Sequence, residues 1–202
     1  EDALAAGVRI GDLARVRTRW GAVVVRATNS GDMRRGEIFV PIHWNGQVAS
    51  DARVGALVNP VVDPISGEPE FKHTPARVEA FDLAWHGFAF TRHDLSTDDL
   101  DWWVRVQGAA FHRYELAGRE APAQPGDWAR ALLGVPADAD WVAYADPAAG
   151  IYRGAWLREG RIEACVFLSP RADLPARNWL SDLFARPRLN ASERAGLLAG
   201  EP

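Results

Sequence analysis

The chain has 202 residues, of which 48% are hydrophobic and 25% charged, and its formal net charge at pH 7 is -4. This length provides for one large or two small soluble domains whose core needs no disulfide. The acidic balance excludes a nonspecific nucleic-acid binder, which needs clustered Lys and Arg. No apolar run approaches the roughly 20 residues of a membrane span, and no signal peptide is evident. We therefore expect a cytoplasmic protein with neither nucleic acid nor membrane as a partner.

The first part of the chain has the pattern of short strands joined by turns. A short helix is expected before Gly7, a natural residue to follow a helix end. Strands are predicted at residues 12–19, 22–27, 36–41 and 77–79. Short strands with Gly-rich turns and almost no helix predict a small β-barrel from about residue 10 to residue 80.

The run from Asp63 to Lys72 is predicted to form an ordered loop. Two prolines and a glycine within ten residues exclude a regular helix or a central strand. The run ends on Phe71 and Lys72, and ordered loops that present an aromatic residue beside a cation often hold a ligand.

The rest of the chain predicts an α+β module, so we expect domains at residues 1–80 and 81–202. A helix is predicted from Leu100 to Ala117, capped by residues 96–99, with Asp98 and Asp99 explained by this capping. A short helix at 127–133, a strand from 141, a hairpin of 151–157 with 161–168, and helices at 176–184 and 192–198 follow.

No self-contained active site is evident in the sequence. None of the five histidines stands four residues from another, which argues against a zinc hydrolase. The single cysteine, Cys165, lies in a predicted apolar strand and is expected to be an inert buried thiol. The nine tryptophans are expected to serve mainly as core residues. We therefore predict no catalytic residue and no metal ligand in this chain.

Four runs, in this order, resemble the C-terminal cofactor-binding domain of the molybdopterin oxidoreductases: Gly11–Gly21, Phe39–Trp44, Asp63–Lys72 and Arg77–Glu79. The resemblance implies a double-psi β-barrel that closes over bis-molybdopterin guanine dinucleotide, the cofactor that carries molybdenum. The family domain opens with a further segment that this chain lacks. The fold expectation is therefore a double-psi β-barrel without its first segment, followed by a small α+β module.

The resemblance also assigns site residues. It places Ile42 near the substrate, with His43 in the same pocket. It counts His43 and Trp44 among the cofactor-binding residues, and it brings Phe71 and Lys72 to the pterin part of the cofactor. The assignment is physically reasonable, because an anionic cofactor favours a fixed cation and a flat pterin favours an aromatic neighbour.

The chain departs from the family pattern at Gly55. The family has at this position an asparagine that hydrogen-bonds the pterin. Asn59, four residues further on, is the candidate to supply the missing amide.

The second half of the chain restricts the resemblance to a smaller group within this family. Residues 85–90, 152–154 and 174–180 are similar to the region that follows the barrel in bacterial assimilatory nitrate reductases. The implied function is the C-terminal part of a molybdenum nitrate reductase, inactive as a fragment, with any iron–sulfur cluster elsewhere in the parent enzyme. The implied partners are the rest of that polypeptide and a flavin or ferredoxin-type electron donor.

Two alternatives stay open at this point. A formate dehydrogenase would keep the barrel and the cofactor but oxidise formate. A β-barrel interaction module without a cofactor would belong to a different class altogether.

Overall fold

The computed structural model describes residues 2–71 and 73–200. The chain divides into two compact units, residues 1–82 and residues 83–202. Lys72, one of the predicted cofactor-binding residues, lies outside the described residues.

The first unit is a small antiparallel sheet with a central strand β1. Its elements are helix α1 (Asp2–Ala5), strands β1 (Leu13–Arg17) and β2 (Ala22–Arg26), a 3-10 helix (Val54–Ala56) and strand β3 (Arg77–Ala80). The strand order is β2-β1-β3, and both pairings are antiparallel. The predicted β1–β2 hairpin is confirmed, with the Thr18 hydroxyl accepting hydrogen bonds from the N–H groups of Trp20 and Gly21 in its turn. The core joins the sheet to the 3-10 helix through Val16, Val23, Val54 and Leu57.

The predicted strand at residues 36–41 is wrong, and the described residues contain no closed barrel. Ile38 and Phe39 lie in irregular chain with their side chains exposed, Phe39 by 75%. The outer edge of β2 does not receive this segment, because the N–H of Val24 donates to the carbonyl of Asp51 instead, at 2.8 Å. An apolar run alone does not form a strand unless it pairs with the edge of a neighbouring strand.

Gly21 fixes the distance between the β1–β2 turn and the 3-10 helix. A Cβ at this position would lie 2.5 Å from the carbonyl oxygen of Ala56, a backbone atom that cannot turn aside. We expect Gly21→Ala to lower the free energy of unfolding of the first unit by about 1–3 kcal/mol through overpacking. Gly31→Ala is the matched control, because a Cβ there meets nothing within 4 Å. Urea unfolding of the two variants tests this, and equal stabilities would contradict it.

The second unit is a six-stranded antiparallel sheet with helices on both faces. Its elements are β4 (Trp85–Thr91), β5 (Trp102–Gln107), β6 (His112–Gly118), α2 (Pro125–Leu132), β7 (Asp140–Asp146), β8 (Ile151–Arg158), β9 (Arg161–Ser169), α3 (Asn178–Phe184) and α4 (Ala191–Gly196). The strand order is β5-β6-β4-β9-β8-β7.

Side chains alternate between two cores along the central strands. Phe88, Phe90 and Phe167 pack with residues of α3 and its surroundings on one face of the sheet. Ala89 and Val166 face the other side, where Ala129 and other residues of α2 cover them. Since both faces are covered, the central strands are apolar at nearly every position rather than at every second one. Trp85, Trp102 and Trp156 are buried, as predicted for core tryptophans.

The predicted helix from Leu100 to Ala117 is wrong. This stretch forms the β5–β6 hairpin, in which Trp103 lies opposite Leu116. Its apolar residues follow a period of two, as in a half-buried strand, and the pairing of β6 with β4 stabilises the extended form. Asp98 and Asp99 consequently cap no helix and lie in a turn.

The other local predictions for this unit are confirmed. The β8–β9 hairpin turns at Glu159 and Gly160, which both have positive φ, 54° and 78°. Helix α4 begins within one residue of the predicted start at residue 192, and its cap is Asn190, whose side chain accepts from the N–H of Glu193 while the Glu193 carboxylate accepts from the N–H of Asn190. Cys165 is fully buried, and burial raises the pKa of its thiol to about 12, so it is inert at neutral pH.

Candidate functional site

The loop from Asp63 to Phe71 is held by its own hydrogen bonds. The Asp63 carboxylate accepts from the N–H groups of Ile65 and Ser66, at 2.9 and 2.7 Å, and from the Ser66 hydroxyl. The backbone closes the loop as well, because the N–H of Asp63 donates to the carbonyl of Glu68 and the N–H of Gly67 donates to the carbonyl of Asp63. The predicted ordered loop is therefore confirmed up to Phe71.

The Asp63 carboxylate gives this loop a pH dependence. Its pKa is lowered, first by the backbone N–H of Ser66, then by that of Ile65 and by the Ser66 hydroxyl. Because the folded pKa lies below the unfolded value of about 3.9, the stabilisation is fully present above that pH and is lost as the pH falls through the folded pKa. We expect the NMR amide shifts of Ile65 and Ser66 to stay constant from neutral pH to about 4 and to move only below it. Movement centred near pH 5 or above would contradict this.

The loop presents apolar side chains to its surroundings. Ile65 is 95% exposed and Phe71 is 50% exposed. His73 Nδ1 lies 3.6 Å from the carboxylate of Glu70. The half-exposed Phe71 ring is accessible from solvent.

The second predicted segment, residues 39–44, is anchored at one point and otherwise open. Val40 packs against the core cluster of the first unit. Ile42 and His43 are exposed and Trp44 is half-buried. Within the described part of the chain, the backbone N–H groups of residues 38–44 that can donate form no hydrogen bond. These donors are available to an anionic ligand.

Gly55 and Asn59 lie on and just after the 3-10 helix. A Cβ on Gly55 would meet nothing within 4 Å, so packing does not require a glycine there. The Asn59 side-chain oxygen accepts from the N–H of Val61 at 3.3 Å, which leaves its amide NH₂ group to donate elsewhere.

One core cluster relates two of the predicted segments. Val40 packs against the cluster that includes Val54, so the stretch with Ile42 starts at the same small core as the helix that carries Gly55. No described contact ties Phe71 to either segment. Sequence reasoning missed the apolar loop residues Phe39, Val61, Val62 and Ile65, all exposed. A feature of the sequence could have identified them, because they are large apolar residues within a stretch rich in residues that disfavour helices and strands.

The described residues hold no group of three or more His, Cys, Asp or Glu side chains placed to bind a metal ion. Within the same residues, every helix is too short or too polar to cross a membrane.

Comparison with known proteins identifies relatives of this chain. Residues 1–75 match the family described as Molydopterin dinucleotide binding domain. The chain is 30% identical over 190 residues to a nitrate reductase of Klebsiella oxytoca, in an alignment covering 94% of this chain and 21% of that protein. The first part of the chain is a molybdopterin dinucleotide-binding domain. The open segments of its dinucleotide-binding domain are those to which the sequence assigned the cofactor.

Other relatives match shorter parts of this chain. An F420-dependent formate dehydrogenase subunit alpha of Methanococcus maripaludis is 34% identical over 79 residues, which is 39% of this chain and 11% of that protein. A nitrate reductase of Shewanella frigidimarina is 31% identical over 81 residues, which is 40% of this chain and 9% of that protein. The chain thus spans about a fifth or less of the length of these curated relatives. No solved structure matches the chain.

Proposed function

We propose that this chain is the C-terminal part of a cytoplasmic, assimilatory molybdenum nitrate reductase, and that its first unit covers bis-molybdopterin guanine dinucleotide. The observation that carries the proposal is the alignment with the Klebsiella nitrate reductase, which extends over 94% of the chain and so includes both units. The first unit would be completed to a double-psi barrel by strands from the rest of the polypeptide.

The residues of the first unit fit such a cofactor. Phe71 offers an exposed ring to a pterin, and the free N–H groups of residues 38–44 suit its phosphates. Ten of the twelve large exposed hydrophobic residues among those described lie in this unit, including Phe39, Ile42 and Ile65. So much exposed apolar surface is typical of a face that another part of a protein covers.

In this proposal the chain contributes binding and enclosure. When bound, the molybdenum cofactor supplies the oxygen-atom transfer that converts nitrate to nitrite. Phe71 and Lys72 hold the pterin part, Asn59 donates its amide where Gly55 cannot, and Ile42, His43 and Trp44 shape the entrance to the substrate. The exposed apolar side chains exclude water once they are covered.

Formate oxidation is the second candidate, because the formate dehydrogenase of Methanococcus maripaludis is 34% identical over its shorter match. That relative shares 79 aligned residues with the chain, whereas the Klebsiella nitrate reductase shares 190. The longer match favours nitrate.

The test is nitrite formation from nitrate by the full natural polypeptide, with a reduced viologen dye as electron source. We expect nitrite in proportion to bound molybdenum. A polypeptide that carries molybdenum, forms no nitrite and oxidises formate would overturn the nitrate assignment and support the second candidate.

A further inference from the structure

A small cavity, which we name the β8–β9 cavity, lies where β8 begins and β9 ends. Strands β8 and β9 supply Arg153, Phe167 and Ser169 to its lining, and the chain that follows β9 supplies Arg171, Asp173 and Pro175. Its volume is about 90 Å³. That is about three times the volume that one molecule takes up in liquid water, so the cavity suits a ligand of only a few heavy atoms.

The guanidinium group of Arg153 is held at this cavity by neutral groups. Arg153 lies opposite Tyr144 on one neighbouring strand and opposite Phe167 on the other. Its Cζ is 5.9 Å from the ring centroid of Tyr144 and 5.5 Å from that of Phe167. Its Nη1 donates to the carbonyls of Leu198, at 2.7 Å, and Ala199. Among the described residues, the Nε and Nη2 groups have no acceptor, so both are available to a ligand.

The hydroxyl of Ser169 adds a second donor to the lining. This side chain is buried, and its Oγ accepts from the backbone N–H of Arg171 at 3.2 Å. No acceptor for the hydroxyl proton is found within the described part of the chain. The hydroxyl can therefore donate to a ligand while it keeps the bond from Arg171.

The charged side chains of the lining leave one positive charge uncompensated. Arg171 and Asp173 pair with each other at 3.2 Å and are both largely exposed, so they cancel. Arg153 forms no ion pair among the described residues. Arg130 also has no described carboxylate partner, but it donates to the carbonyls of residues 136–137 after its own helix and lines no part of this cavity. Arg153 thus combines an unmatched charge with space for a ligand beside it.

The wall of the β8–β9 cavity is fixed by contacts of its own. Arg177 Nη1 donates to the carbonyl of Pro175 at 2.9 Å, while its Nη2 pairs with the carboxylate of Glu115 at 2.8 Å. A Cβ placed on Gly200 would lie 2.7 Å from Cγ of Pro175 and 3.0 Å from Nη1 of Arg153. The end of the described chain therefore packs on both sides of the cavity, which is formed before any ligand enters, as is usual for binding sites.

We infer that the β8–β9 cavity binds a small, planar oxyanion with one negative charge, the class that includes nitrate, nitrite and formate. One uncompensated guanidinium matches one negative charge, and Nε and Nη2 of Arg153 form a planar fork that suits two oxygens of such an anion. The hydroxyl of Ser169 can donate to an oxygen as well. The inference does not depend on the proposed function, because these residues lie outside residues 1–75, which match the dinucleotide-binding family.

The test is an NMR titration of the 202-residue chain with sodium nitrate, in which nitrate replaces chloride at constant ionic strength. We expect the amide signals of Ser169 and Arg171 to move and to saturate with a dissociation constant of about 1 mM. Sodium formate is the second probe, and sulfate, which is tetrahedral and divalent, is the control. Movement with nitrate alone or with formate alone supports the site and narrows its ligand. No movement with either, or equal movement with sulfate, would overturn the inference.

Variants connect the binding to the named side chains. Arg153→Gln should weaken nitrate binding about tenfold or more, and the matched control Arg130→Gln should leave it unchanged. Ser169→Ala retains every charge and should weaken binding about threefold. If Arg153→Gln does not fold, because residues 198–199 lose their anchor, Ser169→Ala decides alone. Unchanged binding in the variants of the cavity, or an equal loss in Arg130→Gln, would overturn the inference. Neither result bears on nitrite formation by the full natural polypeptide, so the proposed function is tested separately.

Discussion

Arg161→Ala is expected to lower the free energy of unfolding by about 3 kcal/mol, because it leaves the buried Glu163 carboxylate without its nearest partner. Arg161 approaches Glu163 to 2.6 Å, whereas Arg158 stays at 3.5 Å and is more exposed. A carboxylate that is 1% exposed cannot recover hydration in place of the lost guanidinium. The measurement is denaturant unfolding followed by tryptophan fluorescence, which reports on the Trp-rich second unit.

Two further variants test whether the loss of stability comes from the buried charge of Glu163 or from the loss of an arginine side chain. Adding Glu163→Gln to Arg161→Ala should restore most of the lost stability, since the uncompensated charge is then gone. Arg171→Ala, which breaks an exposed pair with Asp173, should cost no more than about 1 kcal/mol. A double variant as unstable as Arg161→Ala alone would show that the buried charge is not the cause.

Lys72→Ala in the parent enzyme should lower cofactor occupancy more than it lowers turnover per bound molybdenum. Its ammonium group is proposed to bind the cofactor and takes no part in the chemistry, so enzyme that still holds the cofactor should work normally. Molybdenum content by elemental analysis and nitrite formation per molybdenum are the two measurements. Equal molybdenum content in variant and wild type would refute the role of Lys72.

The lysine content of the chain makes this test more specific. Lys72 is its single lysine, and the other 22 of its 23 basic residues are arginine. Lys72→Arg is therefore the informative control: it retains the charge but replaces a compact ammonium by a planar group, and should retain more cofactor than Lys72→Ala. Within this segment, acetylation of amines reports on one side chain, and bound cofactor should protect it. Equal acetylation with and without cofactor would argue against contact.

Local signals in the sequence were sufficient for the β8–β9 hairpin and for the start of α4, but not for the β5–β6 hairpin. Gly160 in the β8–β9 turn and Asn190 at the start of α4 determine nearby backbone through their own conformation or hydrogen bonds, so they were predictable. The stretch from Leu100 to Ala117 was not, because its strands are stabilised by pairing with β4, which the local pattern of charged and capping residues does not reveal.

The sequence predicted those parts of the candidate site whose structure depends only on neighbouring residues. The loop that Asp63 organises depends on side chains within three residues, and its order followed from the sequence. Residues 36–41 were predicted as a strand from their apolar content, but among the described residues they pair with no strand. How Phe71 lies relative to Ile42 depends on groups that a local pattern does not encode.

Because both faces of the six-stranded sheet are covered, the two units should differ in their susceptibility to proteases. Cleavage requires about ten residues of accessible backbone that can be drawn out into an extended form, which the first unit offers in the exposed irregular chain at residues 28–47 but the double-sided sheet does not. Brief digestion of the chain should therefore cut the first unit early and leave a resistant fragment beginning near residue 83. Bound cofactor should slow the early cuts and leave the lifetime of that fragment unchanged.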